Sequence, residues 1–312
     1  MTHPSTFEDD DQIQFNNTSL AFRMLGNHNL VLGAVIFGVV AVLAVILPLV
    51  LNLEPLSVSP RDRLQPPSFE HILGTDQFGR DLLARLIYGA QTSLMLGASV
   101  AFSSVFLGTV VGILCSFSSL IDNILMRICD GVMAIPAILL AVALTASLGP
   151  NVTNLVIALT IVFTPNVARI VRSKTLSLKS EPFVEASVAF GARLLYIMWR
   201  HILPNTLSVL VVQATFIFAD TIIVEAALSF LGAGMPAPEP SWGNILYEGK
   251  SVITRFPWMV AFTSMALVFT VIGLNLIGDG LRDLLDKSTL RASRENMLQR
   301  LFFPAAKKLE RA

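Results

Sequence analysis

The chain has 312 residues, of which 54% are hydrophobic and 14% charged, with a formal net charge of zero. Soluble domains run at about 45–50% apolar and about 25% charged residues, so an ordinary soluble enzyme domain is excluded. The zero net charge carries no message about nucleic acid, and no nucleic-acid partner is expected. Residues 24–53, 86–121, 131–168 and 256–278 contain no Asp, Glu, Lys or Arg, and each run exceeds the roughly 20 apolar residues that cross a hydrocarbon core. The expected class is an all-α polytopic membrane protein with no room for a large soluble domain.

In chain order, residues 1–29 form a polar N-terminal tail with the acidic stretch "FEDDDQ". The first apolar run is too long for the core of a cleaved signal peptide and reads as a retained span, TM1, over 30–51. Residues 52–91 are rich in Pro and polar residues, then turn helix-like at "FGRDLLARLIYG". There Phe78, Leu82, Leu83, Leu86 and Ile87 recur at helical spacing, with Arg80, Asp81 and Arg85 expected to face away. That pattern predicts a helix lying in the membrane interface. Further spans are expected over 92–116, 125–146, 152–171, 206–231 and 257–279, making six transmembrane helices. "SLGPNVTN" forms the turn between the third and fourth. The block 92–286 reads as one transmembrane domain, followed by a C-terminal tail, 287–312, with seven Lys or Arg.

Orientation follows from the basic residues. With both termini inside, 16 of the 22 Lys and Arg lie on the cytoplasmic side, and Arg61, Arg63, Arg80, Arg85, Lys250 and Arg255 lie outside. The topology is therefore N-in, C-in, and the stretch between spans 4 and 5 is cytoplasmic. There Ser180-Glu181-Pro182 predicts a helix start, with a first short helix over about 181–190 and a second over about 192–202. Gly191 permits a sharp bend between them. Leu195, Met198, Trp199 and Ile202 fall on one side of the second helix, and Arg193, Tyr196 and Arg200 on the other. On these residues alone, a helix pair that merely caps the bundle remains open beside a docking role.

The stretch "EASVAFGARLLYIMWRHILPN" resembles the EAA loop of ATP-binding-cassette (ABC) import permeases: Glu-Ala-Ala, a Gly after three residues, and Ile-x-Leu-Pro after nine more. Glu185, Ala186, Gly191, Leu203 and Pro204 are in register. Ser187 replaces the second Ala, and His201 stands where the Ile would be. "HILPN" is similar to the dipeptide/oligopeptide/nickel branch, second (C-type) permease subunit. So are "LGTDQFGRDLLARLIYGAQTSL", "ALSFLGAGMPAPEPSWGNIL" and "LNLIGDGLRDLLD". The resemblance covers about residues 30–286. It implies a type I ABC importer permease fold in a bacterial inner membrane, with a cytoplasmic coupling loop over 181–204 that uses Glu185, Ala186, Gly191, His201, Leu203 and Pro204. It further implies a homologous second permease, two ATPase subunits and an extracytoplasmic substrate-binding protein as partners, beside the lipid bilayer. Small peptides or related solutes are the implied cargo.

The chain is not expected to be an enzyme. "GNILYEGKS" comes near a phosphate-binding loop but has five residues between its glycines where four are needed. ATP and Mg are therefore expected on partner subunits, with no cofactor in this chain. His3, His28, His71 and His201 lack metal-ligand spacing, and Cys115 and Cys129 read as free buried thiols. Within the spans, Arg127 and Asp130 are three apart and predict a same-helix pair. Asp220 and Glu225 in span 5 are candidates for the translocation path, with interhelical hydrogen bonding as the competing reading. A self-sufficient secondary carrier or channel would use these two acids for ion coupling, and an intramembrane hydrolase lacks a nucleophile–base pair. Pro136 and Pro165 predict kinks.

Overall fold

The computed structural model describes residues 24–236 and 238–285; the acidic stretch and the basic C-terminal tail lie outside the described residues. The helices are α1 (His28–Leu51), α2 (Leu82–Phe117), α3 (Ser119–Met133), α4 (Ala137–Leu148), α5 (Val152–Lys179), α6 (Pro182–Ala189), α7 (Leu194–Ile197), α8 (Leu203–Phe230), α9 (Trp242–Gly249) and α10 (Trp258–Leu285). A single π turn, Met198–Ile202, joins α7 to α8, so Leu194–Phe230 runs as one helical rod of 37 residues. Among the described residues, five helices are long and apolar enough to cross a membrane, and the bent pair α3–α4 makes a sixth candidate.

Two apolar cores hold the bundle. One collects Leu96 and Val100 of α2, Leu159 and Val167 of α5, and Ile217 and Leu228 of α8. The other collects Leu82, Ile222, Trp242, Ile245, Met259 and Leu274. Lipid is as apolar as these side chains, so helix association rests on close packing. Gly33 of α1 and Gly273 of α10 show how close: a Cβ on Gly33 would lie 2.7 Å from the Gly273 carbonyl oxygen.

Four expectations are corrected. There is no separate interfacial helix before span 2: Asp81 caps the N-terminus, its Oδ1 accepting from Ala84 N at 2.9 Å, and α2 runs unbroken for 36 residues. Arg80 and Arg85 do not face away from the apolar side but are buried, because Asp76 and the distant Glu248 neutralise them. Span 3 is not one helix: α3 and α4 meet at 96°, with Pro136 at the N-cap of α4, where its missing N–H removes no helical bond. Finally, Asp130 does not pair with Arg127; it accepts from Arg169 Nη2 of α5 at 2.6 Å. Three positions further along α5, Arg172 grips Asp122 of α3 with two nitrogens. These two pairs fasten α3 along α5. Pro165 is accommodated in the unbroken α5. Cys115 and Cys129 are free and buried.

Candidate functional site

The loop between α5 and α8 is built on a helix terminus that only a left-handed residue completes. Pro182 opens α6 with Glu181 at the N-cap; Ser180, expected to cap, bonds back to Ser177 O instead. At the other end, Ala192 N donates to Ser187 O and Gly191 N to Val188 O. This pair of bonds is the Schellman arrangement, which needs a positive φ at the residue after the cap. Gly191 supplies it at φ 77°, and nothing lies within 4 Å of where its Cβ would be. Its glycine is therefore required for backbone geometry, not for packing.

The second limb departs from the expected simple helix. After one turn of α7 the chain widens into the π turn, and Leu203 N bonds Met198 O. A π turn closes on residues five apart, and it brings Ile197 and Ile202 together in a small core with Leu178 and Val184. The side carrying Leu195, Met198, Trp199 and Ile202 is divided: Ile202 is buried and Met198 half-buried, whereas Leu195 and Trp199 are 67% and 70% exposed. Phe190 at the end of α6 is 90% exposed. Glu185, Ala186, Gly191 and Pro204 are exposed, while His201 and Leu203 are half-buried. His201 reaches across the bend to Ser187, Nε2 to Oγ at 3.2 Å, with the Phe183 and Tyr196 rings on either side. The loop thus presents large apolar side chains at the end of the bundle, and its six motif residues lie on one compact element. Below it, Lys179 Nζ bonds Ser116 O at 2.9 Å and covers the Phe117 ring, latching α5 to α2.

Asp220 and Glu225 are not brought together. Five positions apart on a helix, they face different sides. Glu225 is fully buried, and its Oε1 accepts from Ser229 Oγ at 2.8 Å and Ser241 Oγ at 3.0 Å. Ser241 is also the N-cap of α9, so the acid secures that helix against α8. Asp220 is exposed on the surface of α8 and has no hydrogen-bond or ion-pair partner among the described residues. Gln213, seven positions away, shares its face of the helix.

The residues that sequence reasoning missed form a buried quartet at the opposite end of the bundle. Asp76 Oδ2 accepts from Arg80 Nε at 2.6 Å and Arg85 Nη1 at 2.7 Å. Glu248 of α9 accepts from Arg80 Nη2 at 2.6 Å and from Arg85 through two nitrogens. Two cations and two anions balance, so the charges tolerate burial. The sequence signal was Asp76, Arg80 and Arg85 within "LGTDQFGRDLLARLIYGAQTSL", with Glu248 two positions past "ALSFLGAGMPAPEPSWGNIL". No group of His, Cys, Asp and Glu among the described residues could hold a metal ion.

The family described as "Binding-protein-dependent transport system inner membrane component" matches residues 104–291. A putative peptide transport system permease protein of Brucella abortus biovar 1 is 43% identical over 286 residues, covering 92% of this chain and 97% of that protein. The dipeptide transport system permease protein DppC of Alkalihalophilus pseudofirmus is 41% identical, covering 85% of this chain and 88% of that one. A solved structure titled as inward-facing conformations of the MetNI methionine ABC transporter superposes with a TM-score of 0.54 at 24% identity, covering 64% of this chain and 96% of that chain. It shares the type I permease fold. The chain belongs to the family of inner-membrane components of binding-protein-dependent transport systems: it is an ABC transporter permease, a multi-pass membrane subunit and not an enzyme.

Proposed function

We propose that this chain is one of two homologous permeases of an ATP-driven importer, and that it forms half of a translocation path for small peptides or related solutes. Two ATPase subunits would bind ATP and Mg and engage the loop 181–204, and an extracytoplasmic binding protein would deliver the solute. The observation that carries this reading is the set of exposed apolar side chains on the loop, Val188 and Phe190 at the end of α6 and Leu195 and Trp199 at the start of the rod continuous with span 5. Large apolar side chains exposed together mark a protein interface. Glu185 and Ala186 lie on the same exposed element, and Ala186 leaves room for close approach. The charge distribution supports a cytoplasmic position for it, and the relatives' names support peptides as cargo.

Asp220 supports the path reading. It lies about 15 Å from the Phe230 end of α8 and about 25 Å from Leu203, by helical rise. A carboxylate at that depth costs roughly 2.5–3.5 kcal/mol against lipid, so its exposed face belongs towards water or a second subunit. Glu225 has a structural task instead.

The test is the assembled complex with a Gly191→Pro substitution. Proline cannot adopt the required positive φ, so stimulation of the ATPases by the loaded binding protein is expected to vanish while membrane insertion persists. Cysteines replacing Glu185 and placed on the ATPase surface are expected to crosslink. Normal stimulation in the variant, or no crosslink at any ATPase position, overturns the reading.

A further inference from the structure

We infer that Ser187 and His201 form a clasp across the Gly191 bend that makes α6 and the span-5 rod a single body. Resting on the proposed coupling role, this assigns the delivery of motion to span 5, with the Ser180–Glu181 turn as the hinge. The two residues are also the two departures of this loop from the EAA pattern, and the structure brings them into contact.

The need for a clasp follows from the bend itself. Gly191 has open space around it, and its φ is accessible to glycine without strain. The Schellman bonds hold Gly191 and Ala192 to the end of α6, but no backbone hydrogen bond among the described residues ties α6 to α7 beyond them. A push on α6 would then be absorbed at Gly191 instead of reaching α8. Two features remove that freedom. Val184 of α6 is buried against Ile197 and Ile202 on the other limb. Beside it, the His201 ring sits 5.7 Å from the Phe183 ring and bonds Ser187 at 3.2 Å. The apolar contact is non-directional, whereas the hydrogen bond fixes an angle.

The network also decides which group donates. Ser187 Oγ gives its only proton to Phe183 O at 2.8 Å, so it accepts from His201, and the ring carries its proton on Nε2. That proton is present in one neutral tautomer and in the imidazolium, so the clasp does not need a charged ring. Between α5 and α6 the chain turns at Ser180–Glu181, held by Ser180 Oγ to Ser177 O at 2.9 Å and Glu181 N to Leu178 O, with Leu178 in the same small core as Val184; no side-chain hydrogen bond joins α5 to α6 there among the described residues.

The experiment uses the full complex in lipid, with nitroxide labels on cysteines replacing Phe190 and Leu207, both exposed. Distances between them are measured without nucleotide and with ATP–vanadate. In the otherwise native chain, the distance is expected to stay narrow and to agree within about 2 Å between the two states, the scale of a packed-helix adjustment. Ser187→Ala and His201→Phe each remove the bond, and each is expected to broaden the distribution. Both should lower binding-protein-stimulated ATP hydrolysis about two- to tenfold, the equilibrium worth of one net hydrogen bond. Ser187→Thr keeps the hydroxyl and restores both readouts. A native distance change approaching a helical turn, about 5 Å, overturns the single body. Unchanged distributions in both variants overturn the clasp, and failure of both to assemble assigns the contact to folding and overturns it equally. The Glu185 crosslink is scored in the same complexes. Its absence sinks the docking role, whereas its presence with negative distance results sinks the clasp alone.

Discussion

Arg85 Nη2 donates to Glu248 Oε1 at 3.1 Å, joining the first turn of α2 to the last turn of α9 across 163 positions of sequence. Arg85 is 1% exposed and Asp76, its other partner, is fully buried. Removing one partner of a buried network strands a charge, which costs about 3–5 kcal/mol. Glu248→Ala is therefore expected to lower the unfolding midpoint of the detergent-solubilised protein strongly. Arg85→Lys should lower it too, because an ammonium cannot reproduce the planar fork that reaches both acids. Thermal unfolding followed by thiol reactivity of the buried Cys115 provides the measurement, and a midpoint equal to that of the native chain in both variants contradicts the network's role.

Glu225 is held differently, by two hydroxyl donors on one oxygen. Gln in its place keeps that acceptor but brings an amide where Oε2 has no hydrogen-bond partner, a cost of about 1–3 kcal/mol. Ala loses the acceptor and leaves a void, about 2–5 kcal/mol by analogy with other buried truncations. Glu225→Ala should thus be the more damaging, first seen as protease sensitivity around α9. Glu225→Gln should still transport. Abolished transport in a stably folded Glu225→Gln chain would instead point to a proton-carrying or ion-carrying acid.

At Gly191 the order of tolerance is set by φ alone, since no atom crowds the site. Asn visits the left-handed region more readily than Ala, and Ala pays about 1–2 kcal/mol there. Binding-protein-stimulated ATP hydrolysis is expected to fall in the order Gly, Asn, Ala, Pro. If Ala matched Gly, the positive φ would not matter to coupling.

Gly33 tests the seat of α1. That helix buries only Leu30, Gly33 and Ala44, so its attachment rests on close backbone approach to α10. Gly33→Val places atoms where Gly273 O and Ile277 N now stand, and is expected to detach α1. A disulfide between cysteines replacing Leu30 and Gly280, adjacent in the native packing, should form in the native background and fail in the Gly33→Val background.

Much of the architecture was legible because lipid imposes a simple rule: a spanning helix must be long, apolar and internally hydrogen-bonded. The spans, the turn after Leu148 and the bend at Gly191 follow from that rule and from local backbone chemistry. The misreadings share one cause. Arg80 and Arg85 read as surface charges because Glu248 lies in another block of sequence. Asp130 read as the partner of Arg127 because Arg169 lies on another helix.

The amino-acid order on its own determined that the chain crosses a membrane repeatedly and where a glycine must break the loop. These depend on local composition and on φ, which neighbours in the chain dictate. Only the tertiary structure decided which charges meet, that Glu225 is tied to Ser229 and Ser241 while Asp220 stays open, and that Ser187 faces His201. Those outcomes depend on which helices pack together, and packing is a property of shapes meeting in space that no local stretch encodes.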